Sequence, residues 1–252
     1  MGRRTKLSSL ALLLLSALSL VAAKWTPFGT LLGVTDGGVD VYSCHLEENQ
    51  TALGQDPNYV NGVYTGVKWQ CVELARRYLL VNLGVIFGDV DYAFQIFDFN
   101  SIEKVDDKSQ VAFNKFVNGG SIPPVHGSLI IWSPYGEMTE TGHVAVVVDV
   151  TDTYVDIVEQ NVEDSIWPQG QTYSRRLKVK KNSTSFFIEK WYDEEHILGW
   201  MTVDVHTRVT LAAATSTTSS GPVYFALVVF AVAAAAVVYR KRTDQVLYER
   251  VK

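Results

Sequence analysis

The 252-residue chain has only two cysteines, Cys44 and Cys71, and their separation rules out a Cys-x-x-Cys motif. It also lacks a His-Glu-x-x-His motif and a calcium-binding loop, so we expect no metal ion and no cofactor. Basic residues are scarce between Lys24 and His206, where 13 lysines and arginines accompany 25 aspartates and glutamates. This acidic balance argues against nucleic acid as a partner. It is compatible with a cationic substrate or with a solvated acidic surface.

Both ends of the chain carry apolar segments. Residues 1–23 start with basic residues, continue through an apolar run and end in Val21-Ala22-Ala23, which predicts a signal peptide cleaved after Ala23. Residues 222–239 are almost entirely apolar and are followed by a basic triplet, which predicts a transmembrane helix and a cytoplasmic tail at 240–252. The alternatives are an uncleaved anchor at the first segment and a buried core helix at the second.

The remaining residues are enough for one globular domain, which we place at 24–206, followed by a Thr/Ser/Ala-rich stalk at 207–221. This order predicts a single-pass type I membrane protein whose domain lies on the lumenal or extracellular side. The sequons at Asn49 and Asn182 would then be available for glycosylation. Cys44 lies in a polar segment, and we expect it to be free or paired outside the domain.

A helical pattern begins at Cys71 and stops at Gly84. The apolar stripe of this helix contains Val72, Ala75 and Leu79. Three charged residues fall largely off the stripe: Glu73, Arg76 and Arg77. At the start of a helix, unpaired backbone N–H groups and the helix dipole stabilise a thiolate, as a nucleophile requires. The alternative is that Cys71 is a small buried apolar residue.

From residue 128 onward the pattern is typical of β-strands. The β-prone runs are 128–132, 142–150, 154–161, 172–179, 185–191 and 197–203. The second and third runs predict a hairpin. A loop with an odd number of residues would place His143, Glu159 and Asn161 on one face of it. A two-residue loop would instead place Gln160 opposite His143, and the sequence alone leaves the register open.

The first half of the domain is less regular. We expect loops and edge strands at 28–42, an exposed polar loop at 47–61, and short helices at 89–99 and 110–117. The fold class predicted by the whole pattern is a small α+β domain, in which the cysteine-bearing helix packs on an antiparallel sheet.

A cysteine at a helix start, a histidine that opens a strand and a carboxylate on the next strand are the groups that a cysteine amidase needs. His143 would take the proton of Cys71 and later protonate the leaving amine, while Glu159 would orient the ring. Backbone N–H groups near Cys71, helped by the side chain of Gln70, would bind the developing oxyanion. Four other histidines compete with His143 for this role: His45, His126, His196 and His206.

Several longer motifs resemble a known family. They are Lys68-Trp69-Gln70-Cys71-Val72-Glu73, Thr141-Gly142-His143-Val144-Ala145, Glu159-Gln160-Asn161-Val162, Pro168-Gln169-Gly170-Gln171 and Ile197-Leu198-Gly199-Trp200-Met201. In this order they resemble the amidase domain of glutathionylspermidine synthetase/amidase. That domain belongs to the CHAP group of cysteine, histidine-dependent amidohydrolases and peptidases. The resemblance covers nearly all of residues 28–203 and implies a papain-like (NlpC/P60-type) core.

The resemblance also implies roles for individual residues. Cys71 is the implied nucleophile, His143 the base, and Glu159 the group that orients the base. Arg76 and Asn161 are implied to line the substrate site. Gln70 is implied to lie near the oxyanion. The implied reaction is hydrolysis, through an acyl-enzyme, of an amide bond in a small peptide or a glutathione–polyamine conjugate.

The chain departs from the family pattern after the amidase domain. The family's enzymes typically carry an ATP-dependent synthetase half and work in the cytosol, whereas this sequence continues into the predicted stalk and membrane span. We therefore expect no ATP and no synthetase activity. An outward-facing amidase would not routinely meet an intracellular conjugate, so one alternative is a CHAP-type endopeptidase that cuts bacterial peptidoglycan cross-links. The other is a catalytically silent binding or adhesion module.

Overall fold

A computed structural model of the chain describes residues 26–47 and 53–208. The strands, in chain order, are β1 Leu31–Val34, β2 Asp40–Tyr42, β3 Pro57–Val60, β4 Val63–Val67, β5 Val85–Ile86, β6 Ser101–Lys104, β7 Gln110–Val117, β8 Leu129–Trp132, β9 His143–Val150, β10 Tyr154–Val158, β11 Arg175–Lys181, β12 Phe186–Ile188 and β13 Ile197–Arg208. Within these residues the single α-helix is α1, Cys71–Leu83, and the 3-10 helices are Leu53–Gln55, Ala93–Asp98 and Gly136–Met138.

Nine of the strands form one sheet in the order β12-β11-β10-β9-β8-β13-β7-β6-β5, with antiparallel pairing throughout. The strand β13 lies near its middle, between β8 and β7, although it is the last in sequence. Two small antiparallel pairs, β1-β2 and β3-β4, complete the strands of the described residues. Because α1 contacts β9, β4 and β5, the predicted packing of the helix on an antiparallel sheet is confirmed.

The helix α1 begins and ends where the sequence predicts. Its last turn is closed by the N–H of Gly84, which donates to the carbonyls of Leu79 and Leu80. The three charged residues predicted to lie off the apolar stripe are nevertheless buried: Glu73, Arg76 and Arg77. Burial is tolerated because each of them has hydrogen-bond partners inside the domain.

The core follows the alternation of side chains along the central strands. In β8, Leu129 and Ile131 enter one hydrophobic cluster, which includes the apolar residues of α1. Their neighbours Ile130 and Trp132 enter a second cluster. All four side chains are fully buried, so the sheet is covered on both faces here.

The hairpin of β9 and β10 contains a bulge. The pair next to the loop, Val150 with Val155, encloses an even number of residues. If the strands kept this register throughout, Gln160 would lie on the face of His143. Farther along, the register shifts by one position, so that Val148 is an extra residue in β9. Beyond the bulge the odd-numbered residues after β10 share the face of His143.

Three predicted segments differ in the structure. Residues 110–117 were expected to be helical, but they form β7. Val111 and Phe113, two positions apart, both point into the core, and the backbone pairs with β6 on one side and β13 on the other. The expected helix at 89–99 is only the 3-10 helix Ala93–Asp98. The expected loop at 47–61 contains β3, which pairs with β4.

The predicted signal peptide, the sequon at Asn49 and the predicted membrane span at 222–239 lie outside the described residues. Among the residues that are described, no helix is long and apolar enough to cross a membrane. The second sequon residue, Asn182, is exposed at the end of β11.

Candidate active site

The start of α1 and the start of β9 meet at a cavity of about 540 Å³. Cys71 and His143 both line this cavity, and so do Gln70 and Asn161. A volume of this size is typical of sites for small molecules or short peptides. The structure therefore brings four of the six predicted site residues to one cavity.

Cys71 owes its position to a close approach between β4 and α1. Gly66 has a φ of 137° in the left-handed region, and a Cβ built on it would lie 3.0 Å from the Cα of Glu73. Only glycine allows both the backbone conformation and the short distance. Gln70 precedes the helix with an extended backbone, and the helix begins at Cys71.

Cys71 is a free thiol and is buried, with 9% of its surface exposed. Burial alone would raise its pKa, but the charge of His143, a hydrogen bond with that ring, and the backbone N–H groups of Val144 and Val72 together lower it. The net effect is a thiol more acidic than an ordinary cysteine, as a nucleophile requires.

His143 is held between the helix and the next strand. It pairs with Trp132 across β8 and β9, and its ring lies 5.3 Å from the Trp132 ring, centroid to centroid. Gly142 precedes it with a φ of 63°, where a Cβ would lie 2.5 Å from the Trp132 carbonyl oxygen. Burial would lower the pKa of His143, but Cys71 and Glu159 more than offset it and raise the pKa to about 9.

Glu159 directly follows β10, on the face that the bulge assigns to it. Its Oε2 lies 2.9 Å from His143 Nε2, so the other ring nitrogen, Nδ1, is the one left for Cys71. Arg175 on the neighbouring strand β11 donates to both carboxylate oxygens. Burial would raise the pKa of Glu159, but Arg175 and His143 lower it to about 2. The carboxylate is therefore ionised throughout the physiological range.

Gln70 and Asn161 lie beside the cysteine. Asn161 Nδ2 donates to Gln70 Oε1 at 2.8 Å, and Gln70 Nε2 donates to the sulfur of Cys44 at 3.2 Å. Cys44 was expected in a polar loop, but it is buried and free. Burial and the nearby carboxylate of Asp164 raise its pKa to about 12, so Cys44 remains a thiol at neutral pH.

Arg76 does not line the cavity, contrary to the role that the resemblance implies. Its guanidinium points into the protein, where Nη2 donates to the carbonyl of Tyr64 at 3.0 Å and Nη1 donates to the carbonyl of Phe87. The side chain also lies over the rings of Tyr64 and Phe87. In this conformation Arg76 joins α1 to the segments on either side of it and is 5% exposed.

A second buried network fixes the helix against the residues after β10. Glu73 accepts hydrogen bonds from Arg77, Asn58 and Thr65. Gln160 donates to Glu73 Oε2 at 3.3 Å and to the Gln70 carbonyl at 3.2 Å. Gln160 therefore points away from His143 and connects the two segments that carry the candidate site.

The outer wall of the cavity is acidic. Asp89, Asp91 and Glu137 line the cavity and are exposed, and the buried Glu73 also lines it. Among the described residues that line the cavity, none is a lysine or an arginine. Within the same part of the chain, no cluster of three or more His, Cys, Asp or Glu side chains has the arrangement of a metal site.

Sequence reasoning missed Arg175, Gln160 and the acidic wall. The charge of Arg175 in an otherwise ordinary strand is a weak clue, since Arg176 follows it and only one of the two can face inward. Gln160 was considered only as an alternative to Glu159. The aspartates of the wall belong to a segment that was expected to be helical.

Comparisons with known proteins agree with the family resemblance of the sequence motifs. Residues 62–161 match the CHAP domain family. The chain is 39% identical over 189 residues to the bifunctional glutathionylspermidine synthetase/amidase of Escherichia coli (strain K12), across its amidase region. That alignment covers 73% of this chain and 30% of the bacterial protein. Trypanothione synthetase of Crithidia fasciculata is 30% identical over 177 residues, which is 70% of this chain and 26% of that protein. The chain thus spans less than a third of the length of these relatives.

Proposed function

The chain contains a CHAP domain of the cysteine amidase type, and on that premise we propose that it is a membrane-tethered thiol amidohydrolase with Cys71, His143 and Glu159 as its catalytic residues. The observation that carries the proposal is the convergence of Cys71 and His143 on one cavity, with His143 Nε2 lying 2.9 Å from Glu159 Oε2 on the other side of the ring. Such an arrangement is the one that nucleophilic cysteine catalysis requires.

In the proposed reaction the Cys71 thiolate attacks the amide carbonyl carbon. The imidazolium of His143 then gives its proton to the departing amine, and an acyl-enzyme remains. In the second half, neutral His143 takes a proton from water, which attacks the thioester and releases the acid and the thiolate. Glu159 stabilises the charged ring in the first step and keeps Nδ1 directed at the reacting atoms.

We assign the oxyanion to a site between the start of α1 and the side chain of Gln70. Backbone N–H groups at a helix start are suitable donors for a developing negative charge. Gln70 Nε2 donates to Cys44 Sγ, 3.2 Å away, in the structure described. Because a thiol sulfur is a weak acceptor, an oxyanion would be a stronger partner for the same N–H group.

The acidic wall supports a substrate with a cationic leaving group. Asp89, Asp91 and Glu137 would attract a polyamine, and no basic side chain among the described lining residues would repel it. The Escherichia coli relative is named for glutathionylspermidine, a conjugate of glutathione with a polyamine. We therefore propose that the substrate is a glutathione–polyamine conjugate or a similar peptide amide of a cationic amine.

The tether and the compartment are part of the same proposal. The apolar stretch at 222–239 and the basic triplet after it support a single span, and the N-terminal segment supports export of the domain. The catalytic domain would then act on the lumenal or extracellular side of its membrane.

The test is amine release by the purified full-length chain from three amides. These are glutathionylspermidine, a glutathione amide of a neutral alkylamine, and a bacterial wall peptide. We expect the cationic conjugate to be cleaved with the highest kcat/KM, and added salt to reduce its advantage over the neutral amide by screening the acidic wall. Preferred cleavage of the wall peptide would instead support the peptidoglycan alternative.

Two variants assign the activity to the site. C71A should abolish cleavage of whichever amide the wild type accepts, and H143A should reduce it to near background. The matched control is H126A, which removes an exposed histidine paired with Asp36 outside the cavity. Full activity of C71A would show that the nucleophile is elsewhere. A wild type that cleaves none of the three amides would favour the binding module.

A further inference from the structure

Arg175 lies directly behind the carboxylate of the candidate site. It begins β11, where its backbone pairs with Ile157 of β10, two residues before Glu159. Its Nη2 lies 2.9 Å from Glu159 Oε2, and its Nε donates to Oε1. Both side chains are almost completely buried, with 3% and 4% of their surface exposed. The pair is therefore bidentate and shielded from water, which fixes the plane of the carboxylate.

The same carboxylate oxygen serves two partners. Glu159 Oε2 accepts from Arg175 Nη2 and from His143 Nε2, each at 2.9 Å. A change in the orientation of the carboxylate would therefore move the acceptor away from the histidine. The Arg175 guanidinium has fixed surroundings as well, since it lies 5.7 Å from the centre of the Trp191 ring and 5.3 Å from that of Tyr192.

We propose that Arg175 is a positioning residue of the site: it fixes the Glu159 carboxylate and keeps it charged, so that His143 stays protonated at Nε2 and turns Nδ1 toward Cys71. This inference rests on the proposed amidase function, but it concerns the Cys71–His143 pair itself. Arg175 touches neither the cavity nor the reacting atoms, so it acts only through Glu159.

The charges around Glu159 indicate what the loss of Arg175 would do. Glu159 is faced by His143 of β9, Arg175 of β11 and Tyr192 from the segment before β13. Cys71 of α1 acts on His143, and Glu195 acts on Arg175. Burial raises the pKa of Glu159, and among the opposing influences Arg175 is the strongest. Without it, the carboxylate would bind a proton more readily, because burial favours the neutral form.

A neutral Glu159 would weaken the ion pair between Cys71 and His143. The imidazolium of His143 would lose the charge that stabilises it, and the thiolate of Cys71 depends on that imidazolium. The apparent pKa of the Cys71 thiol would therefore rise. A structural role for Arg175 alone predicts lower stability without any such change in titration.

The test compares R175Q with R176Q in the full-length chain. Arg176 is the control, because it follows on the same strand and forms a bidentate pair with Asp156, but its side chain is 46% exposed, lies on the other face and contacts no site residue. The measurement is the rate of Cys71 alkylation by iodoacetamide against pH, with the modified cysteine identified by peptide mapping. We expect the midpoint to rise by about one pH unit or more in R175Q and to stay unchanged in R176Q.

Activity on the amide that the wild type cleaves gives the second readout. R175Q should lower kcat by roughly 10- to 100-fold, the range found when an outer-shell partner of a metal ligand is removed, and change KM less than about twofold. R175K keeps the charge without the fork and should recover part of both effects. In an E159Q background, R175Q should cause little further loss of kcat, because the side chain through which Arg175 acts is already neutral.

The outcomes separate this inference from the proposed function. If R175Q loses stability as R176Q does but keeps the wild-type alkylation profile and kcat, Arg175 is only structural and the inference is overturned. If R175Q does not fold, the uncharged variant R175M decides, since a wild-type alkylation profile in that variant overturns the inference too. A wild type without amidase activity, but with a Cys71 profile that shifts in R175Q, would refute the amidase and support the positioning role.

Discussion

At the residue scale, the protonation states of Cys71 and His143 define the pH range in which the proposed reaction can run. The pKa of Cys71 is lowered by its surroundings, and that of His143 is raised to about 9. We expect kcat/KM to increase as the thiolate forms and to decrease again near pH 9, where the imidazolium that protonates the leaving amine is lost. A pH–rate profile with the neutral-amine substrate measures both limbs, which belong to the coupled pair.

The variant E159Q controls for this assignment. The charge and hydrogen bond of Glu159 raise the pKa of His143, so their loss must lower it. The alkaline limb should therefore move below pH 9, while R176Q leaves it in place. An alkaline limb at the same pH in E159Q would mean that another group controls the decline.

A different expectation applies to Arg76. Because its guanidinium donates to the carbonyls of Tyr64 and Phe87 in the interior, R76A should act on folding and not on substrate binding. Loss of these bonds should lower the free energy of unfolding by about 3 kcal/mol. Urea denaturation measures that change, and KM should change by less than about twofold. A large increase in KM at unchanged stability would restore the substrate contact that the family resemblance implies.

The residues that could be predicted were those with strong local patterns. Cys71 stands at a helix start and Glu159 is a charge at the end of an apolar strand, so both are conspicuous in the sequence. Arg175 is not, because alternation along a strand does not say which of two adjacent arginines faces inward. The direction of the Arg76 side chain is likewise invisible to a pattern, since it depends on carbonyls contributed by two other segments.

At the element scale, the contact between β4 and α1 determines where Cys71 lies. A methyl group at Gly66 would press against the backbone of Glu73, and the φ of 137° is itself unfavourable for alanine. We expect G66A to destabilise the domain by about 1–3 kcal/mol and to slow Cys71 alkylation, because the helix start must move away from His143. Thermal unfolding and the alkylation rate at pH 7 are the measurements.

The matched control is G62A. Gly62 also has a positive φ, of 81°, but a Cβ there would meet nothing within 4 Å. G62A should therefore lower stability through the backbone conformation alone and leave the Cys71 alkylation rate unchanged. If G66A alkylates as fast as G62A, the close approach at Gly66 does not position the cysteine.

The elements also show where sequence patterns lose their power. The helix α1 was predictable because a 3.6-residue stripe and a terminal glycine agree over 13 residues. The strand β7 was not, because its state depends on β6 and β13, which lie on either side of it in the sheet. The register that brings Glu159 to His143 depends on one bulged residue, Val148, and hairpin length alone predicts the opposite face.

At the scale of the whole molecule, charge and chain order suggest where the domain would work. The excess of acidic residues between Lys24 and His206 agrees with the acidic wall of the cavity, so a long-range field and a local site favour the same kind of cationic substrate. The predicted signal peptide and membrane span would keep that site outside the cytosol. Under this proposal, a conjugate would reach the site by release from cells or by delivery to the same compartment.

The proposed topology makes a prediction about the two ends of the chain. If the domain is exported and residues 222–239 span the membrane, the segment after Arg242 lies in the cytosol. In intact vesicles whose cytosolic face is outside, added protease should remove only this tail and leave the domain with Cys71 protected. Detergent should expose the domain to the same protease, which controls for resistance of the fold itself. Glycan attached to Asn182 provides an independent check, because its exposed side chain would be modified only on the exported side. A protected tail with a digested domain would reverse the orientation and return the amidase to the cytosol.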